Sequence, residues 1–298
     1  MNAIIQTGHR FDQDMTGVAN AFVDAGIRCM MWSEANRSAF SVFEEVKPDI
    51  FIGATSLLTR ALRKCLEAHK PKTAMFVDEE NEAKDIPEQV SLLMSYNILQ
   101  GETSPNIPRL KLWPCVNINV SLGHKEDDSM KSEILYVGGF NGPTKPLINK
   151  YIIPLAQDYK LRIFGTGGWT LPNCLGILSY ANMKNAMFNT KLYAYLTGQE
   201  DDLSWGPFQA MMAGVPTITN NKNIIKLFSN YHPNLVYEFG HDDISEILAN
   251  KEDLAAIGFE AVTKNHTNYH CAFNLLKGLG IDEGERLFKA LDKRIQNG

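Results

Sequence analysis

Two successive series of short apolar segments alternate with helix-period stretches, and the polar run 124–132 separates them. Glycines recur where the apolar segments end. Together these features predict an α/β protein of two Rossmann-like parallel-sheet domains facing one another across a cleft. The boundaries expected are an N-terminal domain over 1–128, a C-terminal domain over 129–280, and a helix over 281–298 that can cross back to the first domain.

The first strand is expected over 3–6, with Thr7-Gly8-His9 as its turn. Val18, Ala19, Phe22 and Val23 fall at helical spacing and predict a helix over 16–25, which Gly26 stops. A strand over 28–32, punctuation at Lys47-Pro48, a strand over 49–53, a helix over 56–69 and a strand over 73–77 continue the cycle. The second series opens with a strand over 134–137 and the loop 138–143. A helix over 145–157, a strand over 161–164 and a second glycine-rich loop, 165–168, follow. Near the end, Leu287, Phe288, Leu291 and Ile295 form an apolar helical stripe.

Composition narrows the class. Of 298 residues, 44% are hydrophobic and 21% charged, which excludes disordered and collagen-like chains. No apolar run approaches the roughly 18 residues that span a bilayer, and the opening MNAIIQTGHRFDQD lacks the pattern of a secretory signal. Five cysteines are scattered without CxxC spacing, which predicts reduced thiols in a cytoplasmic protein and no metal site. The net charge of −5 argues against a whole-chain nucleic-acid binder. Residues 1–128 carry 13 basic and 18 acidic side chains, whereas the remainder carries 16 of each, so the second half tolerates an anionic ligand better.

In open parallel sheets ligands lie beyond the carboxyl ends of the strands, near helix N-termini that receive phosphate. The loop 138–145 is one such place: Gly139 lets backbone approach a phosphate and Lys145 adds a charge, unless the glycines merely make a strand-to-helix turn. Gly165, Thr166 and Gly167 form a second glycine-rich turn, which matches neither the dinucleotide fingerprint nor a P-loop. The segment 200–216, EDDLSWGPFQAMMAGVP, is the most informative. Its Gly206-Pro207 loop is expected to open a short helix over 208–213, ended by Gly214, whose amides and dipole can face a diphosphate while Gln209 hydrogen-bonds sugar or ribose hydroxyls. His266 reads as a structural or capping residue near the start of a late helix.

The segment FQAMMAGVPTITN resembles the helix–strand signature of GT-B glycosyltransferases (group 1). HTNYHCAFNLL is similar to the ending of the branch related to the spore-maturation protein CgeB. KPDIFIGA, YVGGF and RIFGTGGW follow in the matching order. The resemblance implies a nucleotide-sugar donor, a UDP-sugar, held by the C-terminal domain through Gly139, Lys145, Gly165, Thr166, Gly167, Phe208, Gln209, Ala210 and Met211. It further implies a hydroxyl acceptor held by the N-terminal domain, and transfer in the cleft without an obligatory metal. The chain departs from the pattern at several points. Gln209 stands where the family has Glu, Asp202 lies seven residues earlier, Gly206-Pro207 replaces an arginine, and His270-Cys271 replaces another.

In the first half, His9 and Arg10 follow the first strand; His9 is a candidate base and acceptor contact, Arg10 a phosphate or acceptor contact, with solvent-exposed turn residues as the alternative. Asp78 is the second candidate catalytic group. Asp12-Gln13-Asp14 spells DxD, which belongs to a different fold; Asp14 or Thr16 is expected to cap a helix instead. Arg60, Arg63, Lys64, Lys70 and Lys72 make a basic stretch, a solvated face or a docking surface for a polyanion, either DNA or an anionic membrane surface. The function expected is transfer of a hexosyl or pentosyl group to a saccharide, a protein or a modified DNA base. A non-catalytic nucleotide-sugar-binding module and a nucleotide-sugar epimerase stay open as alternatives.

Overall fold

The computed structural model describes residues 1–8, 12–77, 86–95, 107–112, 114–122, 127–140, 142–198, 204–250 and 252–297. The chain divides into two units, Met1–Asn119 with Thr267–Gly298, and Val120–His266. Each is a doubly wound parallel sheet, the α/β architecture expected from the sequence.

The first unit runs β1 (Asn2–Gln6), α1 (Asp12–Asp24), β2 (Arg28–Trp32), α2 (Ala39–Val46), β3 (Ile50–Ala54), α3 (Arg60–His69), β4 (Lys72–Phe76), β5 (Val90–Ser95) and β6 (Arg109–Lys111). The strands pair in parallel in the order β2-β1-β3-β4-β5-β6. Helices on both faces require strands that are apolar throughout, and all five residues of β3 are buried. Ala39, Val42 and Phe43 of α2, with Leu62 and Leu66 of α3, close over Ile4, Phe51 and Met75.

Local chemistry sets the boundaries. Gly26, at φ 77°, ends α1 in a Schellman motif in which its amide donates to the Val23 carbonyl and that of Ile27 to Phe22. The helix begins at Asp12, earlier than expected, so Asp14 and Thr16 lie inside its first turns and are not the cap. Residues 55–57 form a separate 3₁₀ turn, because Thr59 caps α3 by accepting from the Leu62 amide at 3.2 Å. Lys47 and Lys70 end α2 and α3 in the left-handed region, each ahead of a proline that cannot continue the helix.

A short helix α4 (Ile118–Ser121) carries the chain out of the first unit. The second unit then comprises β7 (Ser132–Val137), α5 (Lys145–Leu147), α6 (Ile153–Asp158), β8 (Leu161–Phe164), α7 (Tyr180–Phe188), β9 (Thr190–Tyr195), α8 (Trp205–Met212), β10 (Thr217–Thr219), α9 (Lys222–Ser229), β11 (Val236–Glu238), α10 (Ile244–Ala249) and α11 (Ala255–Asn265). Its order β11-β10-β9-β7-β8 repeats the topology of the first unit, with strand order reversing between β7 and β9. The helix expected over 145–157 is interrupted by a π-helical stretch, Ile148–Ile152. Pro154 explains it: proline donates no amide bond and its ring excludes the carbonyl four residues back. Ile134, Tyr136, Leu192, Ala194 and Ile218 from the strands pack on Ile148, Ile152 and Ile247.

The chain re-enters the first unit at Thr267, so α12 (Asn268–Gly278) and α13 (Gly284–Asn297) both belong to it, whereas the sequence boundaries had the return at 281. Asn268, fully buried, accepts from the Ile118 amide at 3.0 Å and donates to the Gly17 carbonyl at 2.8 Å, while its own amide donates to Val116. Thr267 and His270 form a capping box, with Thr267 Oγ1 and His270 Nδ1 2.8 Å apart. On α13, Arg294 donates to both carboxylate oxygens of Asp24, which also accepts from the Tyr269 hydroxyl. Among the described residues no helix is long and apolar enough to cross a membrane.

Asn268 bridges backbone groups that lie 150 and 251 positions away in the chain. Asn268→Leu keeps the branched shape, adds volume, and orphans a buried N–H and a buried C=O. It is expected to cost about 2–4 kcal/mol in urea unfolding.

Candidate functional site

The carboxyl edge of the second sheet is built from the loops after β7, β8, β9 and β10. Parallel pairing continues past β7 and β8: the Gly138 amide donates to Phe164 and the Phe140 amide to Thr166, both at 2.9 Å. Phe140 bridges to Gly167. A Cβ at Gly165 would collide with the Gly138 carbonyl, and one at Gly167, where φ is 98°, would lie 2.9 Å from the Phe140 oxygen. The Gly165 amide is itself used, donating to the Gly176 carbonyl at 2.8 Å. Close backbone approach therefore accounts for these two glycines. The Gly139 and Gly167 amides, which point away from the pairing, donate to no described group. Thr166 is exposed on the turn.

Lys145 opens α5 with its ammonium 5.2 Å from the Phe140 ring centroid. Phe140 in turn packs against Trp169 at 5.0 Å, and Trp169 against Tyr136 at 5.8 Å. Burial pushes the Tyr136 phenol up to about 12. The Trp169 indole nitrogen is buried without a partner among the described residues.

The loops after β9 and β10 are clamped by Asn220, which accepts from the Thr197 amide at 3.0 Å and donates to its carbonyl at 2.8 Å. Gly198 lies so close to Pro143 that a Cβ would be 2.7 Å from the proline's own. This joins the loops after β7 and β9 at the topological switch point.

Helix α8 starts at Trp205, three residues before the expected start. Ser204 caps it, accepting from the Gly206 amide at 3.5 Å, and Pro207 is tolerated in the first turn, where no intrahelical N–H is needed. Every residue from Gly206 to Met212 is buried. Phe208 packs against Phe228 and His266, and Ala210 and Met211 have no exposure. The amides of Gln209, Ala210 and Met211 fall inside the helix, where they meet carbonyls four residues earlier. The open end of the helix is at Trp205 and Gly206. His266 is structural, as its position suggested: its Nε2 lies 2.8 Å from the Tyr231 hydroxyl.

Gln209 is the polar exception on α8. It is 4% exposed, its Nε2 donates to Ser121 Oγ at 2.9 Å, and its Oε1 is buried with no partner among the described residues. Gly139, Lys145, Gly165, Thr166 and Gly167 thus share one loop pair, and Phe208, Gln209, Ala210 and Met211 lie together on α8. His9, Arg10, Asp78 and Asp202 lie outside the described residues. In the first unit Arg60 and Lys64 are exposed on α3, Lys70 caps it, and Lys72 opens β4, while Arg63 is half-buried. Among the described residues no group of three or more His, Cys, Asp or Glu side chains is placed to hold a metal ion.

The sequence reading passed over Ser121, Asn220 and Tyr193. Ser121 and Asn220 are short polar residues at helix or strand ends, and their partners are set only by the folded chain. Tyr193 reads as one more apolar strand residue, yet its hydroxyl meets Gly206.

These two units define the GT-B glycosyltransferase fold. No family model matches the chain, and no curated protein does. Among solved structures it is similar to the sucrose-phosphate synthase of Thermosynechococcus elongatus, with 9% identity, TM-score 0.60 and 97% of this chain and 100% of that one covered. HepE of Anabaena, in complex with UDP and glucose, matches at 11% identity and TM-score 0.59 over 94% and 99%. AviGT4, a glycosyltransferase involved in avilamycin A biosynthesis, matches at 9% and 0.57 over 98% of each chain.

The glycine-rich turn provides its own test. Gly165→Ala is expected to destabilise the second unit by about 3 kcal/mol or more, because the obstruction is backbone. At Gly168 a Cβ meets nothing within 4 Å, so Gly168→Ala is expected to stay within about 0.5 kcal/mol of the parent. Thermal unfolding of the two variants side by side checks this.

Proposed function

We propose that the chain is a glycosyltransferase whose second unit binds a nucleotide-diphosphate sugar, a UDP-sugar, and passes the sugar to a hydroxyl acceptor. The observation that carries this reading is Gln209: a buried side chain on the helix that follows β9, with a carbonyl oxygen that no described group satisfies. A sugar hydroxyl donating to Oε1 would complete it. Support comes from the fold, since HepE, of the same architecture, is known in complex with UDP-glucose.

In this reading, catalysis rests on stabilising the departing diphosphate. The positive end of α8 and the Lys145 ammonium supply the field, and the Gly139 and Gly167 amides supply donors. Gln209 orients the sugar. On the acceptor side His9 removes the hydroxyl proton, with Asp78 as the alternative base and Arg10 as an acceptor contact. The acceptor is a saccharide, a protein or a modified base in DNA. The last would use Arg60, Arg63, Lys64, Lys70 and Lys72, and the setting is cytoplasmic.

A second reading has its own motivation. Gln209 is neutral and already bonded to Ser121, which suits a module that binds a nucleotide sugar without turning it over.

Titration with UDP and UDP-glucose is expected to raise the melting temperature by several degrees at ligand concentrations about 100 times Kd. If no nucleotide or nucleotide sugar does so, the reading fails. Released UDP, followed by mass detection, separates the enzyme from the binding module. Gln209→Met keeps the packing volume and removes the polar atoms. It is expected to lower sugar transfer about ten-fold or more while leaving UDP binding within about three-fold.

A further inference from the structure

The mechanism above uses the tip of α8 but not the side chain that lies against it. Tyr193 is the fourth residue of β9, pairs with Leu135 of β7 and Thr217 of β10, and is 2% exposed. Its ring reaches from the sheet to the first turn of α8. A Cβ on Gly206 would collide with the Tyr193 hydroxyl and lie 3.0 Å from its Cζ. The hydroxyl therefore lies beside Gly206, in the turn whose amides have no intrahelical carbonyl to meet.

The hydroxyl makes no hydrogen bond to a described residue. Burial first, and the neighbouring Tyr136 second, hold the phenol well above its ordinary range. It therefore stays protonated, a donor on a buried ring with no acceptor among the described residues. The backbone around it is short of donors: Pro207 has no N–H, and the Gly206 amide reaches Ser204 Oγ only at 3.5 Å. An anionic oxygen seated at the tip would meet the phenol, the Gly206 amide and the helix dipole together.

We propose that the Tyr193 hydroxyl is a phosphate-binding donor, hydrogen-bonded to a diphosphate oxygen at the first turn of α8, and that residue 206 is glycine so that the phenol can reach it. The inference rests on α8 being the diphosphate site of the function proposed above. It adds a side chain on β9 to the ligand contacts, and it makes nucleotide diphosphates, more than nucleosides, the species recognised.

Tyr193→Phe removes the hydroxyl and nothing else. Binding of UDP, inorganic pyrophosphate and uridine to the full chain and to this variant, measured by calorimetry, tests the assignment. The variant is expected to bind UDP and pyrophosphate about ten-fold more weakly and uridine as before, with an unchanged or raised melting temperature. Gly206→Ala, which displaces the phenol, is expected to weaken UDP to a similar degree. Equal UDP affinity in Tyr193→Phe overturns the assignment while leaving the donor site standing. A lowered melting temperature, or parallel loss of uridine, makes the hydroxyl structural and overturns it as well. A parent protein that binds neither UDP nor pyrophosphate removes the diphosphate site itself, and this role of Tyr193 with it.

Discussion

How deeply α8 is seated governs everything the second unit presents at its carboxyl edge. Three glycines permit the depth. A Cβ on Gly258 of α11 would run into the Met211 carbonyl, and one on Gly214, at φ 70°, would lie 2.5 Å from the Ala255 backbone. Gly206 lets the first turn settle on the Tyr193 hydroxyl. With its C-terminal end held by α11 and a Schellman turn, in which Val215 donates to Ala210 and Gly214 to Met211, the helix cannot slide along its axis. Its N-terminus and Gln209 are thereby fixed with respect to β9 and β10, without help from flexible side chains.

That seating has a cost in polar groups. Among the described residues Gln209 Oε1 and Thr217 Oγ1 are both buried without partners, on α8 and on the strand beneath it. A lost partner at each is worth about 1–3 kcal/mol. Phe208, Ala210 and Met211, all fully buried, supply the apolar burial that offsets it. A helix whose only task was to cover a sheet would carry an apolar residue at 209. Retaining an amide there is the kind of local inconsistency that collects where a chain is organised around a ligand.

The sheets were legible because parallel strands covered on both faces are short runs of apolar residues, as in IFIGA of β3. Gly26 and Gly214 marked helix ends correctly, since only a residue at ease with positive φ closes a Schellman turn. The misplaced boundaries had local causes that a periodicity count does not weigh. Ser204 outcompeted the Gly-Pro pair as the start of α8, and Pro154 turned one expected helix into two joined by a π stretch. The pairing of Gly165 with Gly138, and the bonds from Asn268 to Gly17 and Ile118, join residues far apart in sequence, so no window of residues reports them. Within the candidate site, residue types were readable, but the burial of Gln209 and the approach of Tyr193 to Gly206 come only from the folded chain.

A glutamine at 209, in place of a glutamate, has a physical rationale. A carboxylate nine-tenths buried needs a cation or several donors, and the polar neighbour here is Ser121, a neutral hydroxyl. An amide matches that hydroxyl without charge and still offers one acceptor outward. In the proposed reaction this leaves the positive charge that forms on the sugar without a carboxylate at this position. The rate must then come from the leaving-group side, where the dipole of α8, Lys145 and the Tyr193 phenol converge in the proposal. An enzyme arranged in this way would depend more steeply on how well the diphosphate is held than one with a glutamate at 209.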